Sequence, residues 1–283
     1  MRPYTILVLA IVDFLLLSFL IYLFLIAPTG KRRARMERFK RVSFAHRGLH
    51  NEKHPENSLG AFEEAVKSGY GIELDIRLSK DGELVVFHDD TLDRVTKESG
   101  RVDSKTVEEL KKITLLGTDE TIPTFDEVLS LVDGKVPLLV EIKEDAGKYA
   151  VTEKAIEMLS EYKGEFIVES FNPLALSLLK KKMPDALRGV LSQNFLSEKQ
   201  YRTLTHFLLQ CLVLNVSCRP DFIAFNHKHY KNVSLRLARR FFGVPTFAWT
   251  VRSAEEEKAS LEHGFDNVIF ENYLKDNKEE EQK

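Results

Sequence analysis

The stretch bounded by His46 and His88 carries, at these two histidines, at Arg47 and Arg77 and at the carboxylates Glu73 and Asp75, polar residues each beside an apolar run. The stretch reads Phe44-Ala45-His46-Arg47-Gly48, then Pro55-Glu56-Asn57-Ser58, Gly71-Ile72-Glu73-Leu74-Asp75-Ile76-Arg77 and Phe87-His88-Asp89. In a β-strand, residues i and i+2 point to the same side. Glu73 and Asp75 therefore project together, and Ile72, Leu74 and Ile76 project the other way. Two acids side by side repel each other unless a cation lies between them. A hard divalent ion with oxygen ligands is the natural occupant. Histidine titrates where it can take up and return a proton. The residue types point to metal-assisted acid–base chemistry.

The surrounding pattern alternates strand and helix. Val42–His46 is an apolar run entering His-Arg-Gly, and Ser58–Ser68 reads as a helix capped by Asn57 or Ser58. Asp81-Gly82 marks a hairpin between Ile72–Leu78 and Glu83–His88. Residues 89–122 are polar and irregular, with one helix near Lys105–Ile113, and read as an insertion beside the site. Six helix–strand pairs follow. Their helices are Thr124–Val132, Lys148–Tyr162, Pro173–Lys182, Ser197–Asn215, Asn232–Phe242 and Ala254–His263. The matching strands are Val136–Ile142, Phe166–Glu169, Leu187–Leu191, Phe222–Phe225, Pro245–Val251 and Val268–Phe270. With Val42–Ala45 and Ile72–Leu78 these make eight parallel strands, which predicts an α/β chain folded as a (β/α)8 TIM barrel. No glycine-rich dinucleotide or phosphate loop supports an open nucleotide-binding sheet.

In such a barrel the chemistry sits at the C-terminal ends of the strands. His46, Glu73, Asp75, Glu141, Lys143, Glu169 or Ser170, Asn226 and Trp249 all fall at or just past predicted strand ends. Glu141-Ile142-Lys143 repeats the i, i+2 geometry and adds a third carboxylate and an ammonium. Glu73, Asp75 and Glu141 suit Mg²⁺ or Ca²⁺ and leave room for water and a phosphate. A zinc site would want more His or Cys ligands. Trp249 either packs in the barrel mouth or touches substrate. His50, His54, His206, His227, His229 and His263 read as surface or packing residues.

Composition narrows the remaining classes. The 283 residues carry a net charge of −2, which gives no electrostatic footing for nucleic acid. Cys211 and Cys218 lack the spacing of a zinc site and read as buried reduced thiols. Tyr4 to Ala27 is apolar apart from Asp13. At ~1.5 Å per residue it makes a helix of ~36 Å, enough to cross a bilayer with some tilt. A cleaved signal peptide fits less well, because the apolar run is long and no small-residue cleavage site follows. Seven of the eleven residues Lys31–Arg41 are basic, against Arg2 alone before the helix. The positive-inside rule then places a single-pass protein in the cell membrane with its catalytic domain in the cytoplasm. The basic stretch is either a solvated flank or a contact with anionic headgroups. The expected organisation is an anchor at 4–27, a basic juxtamembrane linker at 28–41, a barrel at 42–272 and a flexible charged tail at 273–283.

Taken in order, His46-Arg47-Gly48, Pro55-Glu56-Asn57-Ser58, Glu73-x-Asp75, Lys80-Asp81-Gly82, Phe87-His88-Asp89, Glu141-x-Lys143 and Ser170-Phe171-Asn172-Pro173 resemble the glycerophosphodiester phosphodiesterase family. The resemblance covers roughly residues 42–272. It implies a TIM barrel with an inserted subdomain and a divalent ion on Glu73, Asp75 and Glu141. It implies His46 and His88 as the acid–base pair, with Arg47 holding the phosphate and Lys143 sharing its charge. The implied reaction gives glycerol 3-phosphate and an alcohol, by attack of the glycerol hydroxyl on phosphorus and opening of the cyclic phosphate by water. Two positions depart from the family pattern. Arg252 follows Trp-Thr-Val where many members carry Asn, and Phe270-Glu271-Asn272 stands where many close on aspartate. Both lie in the last strand–loop units and bear on headgroup preference. Rival readings are a lysophospholipase D or phospholipase C-like enzyme acting on lysophospholipid or other membrane lipids, and a non-catalytic barrel scaffold. The complete set of catalytic residue types argues against the scaffold.

Overall fold

The structure, a computed structural model, describes residues 3–145 and 147–274. Its strands are β1 (Phe44–Ala45), β2 (Gly71–Leu78), β3 (Leu84–Val86), β4 (Leu138–Ile142), β5 (Phe166–Ser170), β6 (Arg188–Ser192), β7 (Phe222–Asn226), β8 (Thr246–Val251) and β9 (Asn267–Phe270). All but β3 are parallel neighbours in the order β1-β2-β4-β5-β6-β7-β8-β9, and β9 returns to β1 and closes the barrel. β3 pairs antiparallel with β2, placing Ile76 opposite Val86, as Asp81-Gly82 predicts.

The strands are apolar on both faces because both faces are covered. Leu139, Ile167, Leu187, Phe222, Phe247 and Ile269 fill the barrel interior, while Leu74, Val140, Val168 and Ile223 pack against the outer helices. Gly189 on β6 leaves the space that the Phe222 ring occupies; a Cβ there would lie 2.2 Å from the ring. Side-chain caps set where the helices start. Ser58 accepts from the Ala61 amide, Thr124 forms a capping box with Glu127, and Asn172 and Asn232 cap the helices Pro173–Lys182 and Val233–Phe242.

The structure departs from the sequence expectations in four places. Only Phe44–Ala45 of the first run forms a strand. The single helix expected over Ser197–Asn215 is broken into 3₁₀ turns at Phe195–Ser197 and Lys199–Tyr201 and helices Leu204–Gln210 and Asn215–Cys218. Thr203 caps a fresh helix start and Leu212 turns left-handed at φ 57°, so the chain cannot run straight through. The helix near Lys105–Ile113 shrinks to Val107–Leu110, closed by a Thr106–Glu109 capping box. Its segment nevertheless builds a small core of its own, in which Phe87, Leu92, Val102, Leu110, Leu115 and Ile122 are buried.

The fourth departure concerns the basic linker. Residues Arg33–Phe39 form a helix whose Met36 and Phe39 are buried against the barrel interior residues. Arg32 donates Nε and Nη2 to Asp221 at 3.0 and 2.8 Å, and Arg35 donates to the Asp185 carbonyl. Arg38 pairs with Glu165 at 2.5 Å. These charges are held by the barrel, so the stretch is part of the folded unit rather than a free tether.

The helix Pro3–Ile26 is long and apolar enough to cross a membrane. Its last turns dock on the barrel: Ile26 is fully buried, and Tyr22 Oη lies 2.7 Å from Ser234 Oγ. The charged tail expected from residue 273 lies, from 275 onward, outside the described residues.

Candidate active site

Strand register assembles the acids. Asp75 on β2 faces Glu141 on β4, which faces Glu169 on β5, so three carboxylates occupy one layer inside the barrel. Glu73 lies one step below on the same face of β2. Oxygens of Glu73, Asp75 and Glu141 all fall within 4.8 Å of one another, and all three residues are buried.

Two local turns hold this cluster. Arg47 and Gly48 both take left-handed backbone, φ 55° and 81°. A Cβ on Gly48 would meet Ala61 and Phe62 at 2.9 Å, so the turn needs glycine. The turn aims the Arg47 amide at Glu73 Oε2, 2.8 Å away. Asn57, also left-handed at φ 58°, donates Nδ2 to Asp75 Oδ2 at 2.9 Å. Ser58 supplies the helix cap, which frees Asn57 for the carboxylate.

Cations surround the acids on the open side. Lys143 Nζ lies 2.6 Å from Glu141 and 3.0 Å from Asp75. Arg47 Nη1 lies 2.6 Å from Glu56, which also takes two hydrogen bonds from Arg94. Arg94 Nε reaches Asp89 at 2.5 Å, and Asp89 lies 2.5 Å from His88 Nδ1. A charged chain thus runs from Arg47 through Glu56, Arg94 and Asp89 to His88. Bonds from His88 and Arg94 outweigh partial burial and hold the Asp89 carboxyl well below its usual range. Ionised Asp89 accepts, so His88 Nδ1 carries the proton and Nε2 is left for other partners.

His46 has the same kind of support. Its Nδ1 lies 2.6 Å from Glu271 Oε2, and its Nε2 lies 3.9 Å from Glu73. Arg252 Nε donates to the other Glu271 oxygen at 2.5 Å, and His50 Nε2 lies 3.6 Å from Glu271. Burial pushes the His46 imidazole down to about 4, against the opposing pull of Glu271. It is neutral at pH 7, with its proton on Nδ1 and a free pair on Nε2. The two departures from the family pattern therefore stand together behind His46. His50 is drawn into the same support.

Burial and the negative neighbours Asp75, Glu141 and Glu169 raise Glu73 well above its ordinary range. Burial raises Glu141 despite Lys143, and raises Glu169 well above the usual carboxyl value. Asp75 goes the other way: its burial is outweighed by Lys143, His88, Arg47 and Asn57. A protein that buries this many acids in one layer has either to protonate some of them or to hold a cation. Three converging carboxylate oxygens match the donor set of Mg²⁺ or Ca²⁺. The chemistry of the donors fits a divalent ion on Glu73, Asp75 and Glu141.

His46, Arg47, Glu73, His88, Glu141, Lys143 and Trp249 line one cavity of about 70 Å³, and Asp75 sits beneath it in contact with Lys143. The eight candidate residues thus gather around one point. Glu169, Phe171, Leu191, Thr250 and Ile269 complete the wall. Trp249 packs edge-on against Phe171, and its buried Nε1 has no partner among the described residues. Asn226 stands apart, bonded to Gln193. Glu56, Asn57, Asp89, Arg94 and Glu271 join the site as supporting residues that the sequence did not mark with a role in it. The Pro-Glu-Asn-Ser motif was a signal for the first two.

Residues 46–275 match the glycerophosphoryl diester phosphodiesterase family. A glycerophosphodiester phosphodiesterase of Caldanaerobacter subterraneus subsp. tengcongensis is 35% identical over 243 residues, spanning 81% of this chain and 93% of its own. Among solved structures, an Oleispira antarctica phosphodiesterase in complex with the product sn-glycerol-3-phosphate superposes with a TM-score of 0.66 at 27% identity, covering 83% of this chain and 94% of that one. A glycerophosphodiester phosphodiesterase from Thermotoga maritima superposes with a TM-score of 0.62 at 29% identity, covering 81% and 94%.

Proposed function

This chain belongs to the glycerophosphoryl diester phosphodiesterase family, and from that premise we propose that it hydrolyses glycerophosphodiesters to glycerol 3-phosphate and an alcohol. The observation that carries the reading is the convergence of Glu73, Asp75 and Glu141 at the cavity that His46 and His88 line, with Glu73 and Glu141 in its wall and Asp75 beneath.

Glu73, Asp75 and Glu141 would hold one divalent cation, Mg²⁺ or Ca²⁺. When bound, such an ion supplies Lewis-acid stabilisation of charge on phosphate oxygens. Arg47 and Lys143 face the same cavity and offset the charge that grows on phosphorus-bound oxygens. The Arg47 fork suits two parallel bonds to phosphate. His46, neutral with Nε2 open, takes the proton of the attacking hydroxyl. His88, its Nδ1 proton held by Asp89, exchanges a proton at Nε2 with the leaving oxygen. Trp249 and Phe171 form an aromatic corner for the glycerol, and the unpaired Trp249 Nε1 offers it a hydrogen bond.

Pro3–Ile26 serves as a single-pass membrane anchor in this reading, and the basic stretch that follows places the barrel on the cytoplasmic side. A lysophospholipid is itself a glycerophosphodiester with one acyl chain, and the anchor favours it as a second substrate by keeping the site near lipid. The test is product analysis with glycerophosphocholine. Glycerol 3-phosphate and choline should appear with Mg²⁺ or Ca²⁺ and fail to appear in EDTA. Release of phosphocholine instead would overturn the bond assignment.

A further inference from the structure

The apolar helix Pro3–Ile26 does not stand clear of the barrel. Phe19 meets Phe241 edge-on, with ring centroids 5.8 Å apart, and Tyr22 reaches Ser234 and the Cys211 carbonyl. Arg219 closes the last turn, donating to the Phe24 carbonyl with its guanidinium over the Phe24 ring. The part of the helix before Phe19 rises only ~24 Å, against a bilayer hydrocarbon core of ~30 Å. Tilt shortens that span further. A bilayer crossed by this helix therefore reaches the barrel where Phe19 touches Phe241.

Phe241 belongs to the helix Val233–Phe242, whose faces divide by chemistry. Ser234, Leu235 and Ala238 are buried on the barrel, while Val233 and Phe241 are 66% and 52% exposed. Arg236 and Arg240, one turn apart, face outward. With Lys231 and Arg239 they line an open groove of about 1090 Å³, in which Asp266 is the one acid among the described residues. That acid is already engaged, accepting from the Thr246 amide at 2.8 Å and facing Lys40 at 3.3 Å. Arg239 is committed as well, to Thr246 and the His263 carbonyl. Among the described residues, no carboxylate pairs with Lys231, Arg236 or Arg240. Exposed apolar side chains and unpaired cations on one helix suit an element lying in a membrane interface. The arginines that follow the anchor differ, because Arg32, Arg33, Arg35 and Arg38 spend donors on barrel oxygens.

We propose that the helix Val233–Phe242 docks the barrel on an anionic leaflet. Val233 and Phe241 enter the acyl boundary, and Lys231, Arg236 and Arg240 hold the phosphates of anionic phospholipids in the groove. The arginine fork suits a phosphate that presents two oxygens. The anchor then fixes the depth of the barrel, and this helix fixes its rotation about the anchor. The proposal rests on the reading of Pro3–Ile26 as a membrane anchor.

The experiment uses the full chain in nanodiscs of mixed phosphatidylcholine and phosphatidylglycerol, with bromine on the acyl chains of one lipid or the other. Trp249 is the only native tryptophan, so wild type supplies the fluorescence background. Val233→Trp adds a probe on the docking helix, and Phe14→Trp adds one in the anchor. Both positions are exposed, which spares the fold. Val233→Trp should be quenched by either brominated lipid, and more by phosphatidylglycerol at equal mole fraction. Arg236→Gln and Arg240→Gln in that background should lower the anionic enrichment by up to about fivefold per charge. Inorganic phosphate should leave the enrichment unchanged. Equal quenching by the two lipids, an enrichment that the arginine variants retain, or one that free phosphate abolishes would overturn the headgroup site. A quenched Phe14→Trp with Val233→Trp unquenched would overturn the docking face and leave the anchor standing. Quenching of neither would overturn both.

Discussion

Glu271 Oε2 lies 2.6 Å from Nδ1 of His46 and is itself gripped from the other side by Arg252. The pair sets the tautomer of the imidazole and turns Nε2 toward the carboxylate cluster. Glu271→Gln keeps the size of the side chain but removes the charge and permits the wrong tautomer. Acid–base groups contribute roughly 10²–10⁴ to rate, and kcat of the variant should fall by about 10² with little change in KM. Steady-state kinetics check this. An unchanged kcat would reduce Glu271 to packing.

The second prediction concerns His88. Arg94 comes from the insertion and reaches both Glu56 and Asp89. Arg94→Ala frees the carboxylates that steady Arg47 and His88. Activity should drop by roughly tenfold, the scale of lost supporting contacts. The stability change should stay within about 1 kcal/mol, because Arg94 is 47% exposed. A denaturant midpoint measured beside the kinetics separates the two effects.

A third prediction follows from the crowded acids. Glu73, Glu141 and Glu169 have folded-state pKa values raised above their unfolded values, chiefly by burial. For a raised group, the stability it contributes is present below the unfolded pKa and is lost as pH rises through the folded pKa. Metal-free protein should therefore lose stability from about pH 5 upward. Glu73→Gln should flatten that slope. Divalent ion should restore stability in the wild type and do less in the variant. Urea midpoints in EDTA across pH 5–8 provide the check, and parallel slopes for both proteins would contradict it.

The fourth concerns the boundary of the folded unit. Met36 and Phe39 are 0% and 5% exposed under the barrel, and Arg32 pairs with the buried Asp221. A fragment beginning at Arg41 loses both side chains, each contributing ~1.5–3 kcal/mol, and strands Asp221 without its cation. It should melt well below a fragment beginning at Pro28. Equal melting temperatures would show the helix Arg33–Phe39 to be dispensable.

The last of the group concerns the thiols. Burial pushes the Cys218 thiol up to about 12 and raises Cys211 as well. Buried Cys218 should not react with iodoacetamide at pH 8 in the native state, half-buried Cys211 should react more slowly than in urea, and both should react fully in urea. Mass spectrometry reads the labels directly.

The barrel and the acidic centre were legible because their signals are local. Alternation puts Glu73 with Asp75, the Glu141-x-Lys143 repeat sits at a strand end, and His-Arg-Gly is a turn that glycine alone closes. What was not legible depends on residues far apart in the chain. Glu271 lies 225 residues from His46, and Arg94 lies 38 from Glu56. No periodicity connects such pairs. The contacts of the arginine run were hidden for a related reason: composition shows a basic flank, but only the folded barrel reveals Asp221 and the Asp185 carbonyl that Arg32 and Arg35 meet. The helix expected over Ser197–Asn215 failed because apolar spacing persists through a segment that Thr203 and Leu212 interrupt.

Glu73, Asp75 and Glu141 would make this barrel a metal-dependent glycerophosphodiesterase. The most direct measurement is a divalent-ion titration of glycerol 3-phosphate release from glycerophosphocholine by the full chain, run beside Glu73→Gln and His46→Ala. Saturable activation by Mg²⁺ or Ca²⁺, with the activity lost in both variants, is the predicted result. Release that survives EDTA, or that persists in Glu73→Gln, would contradict it.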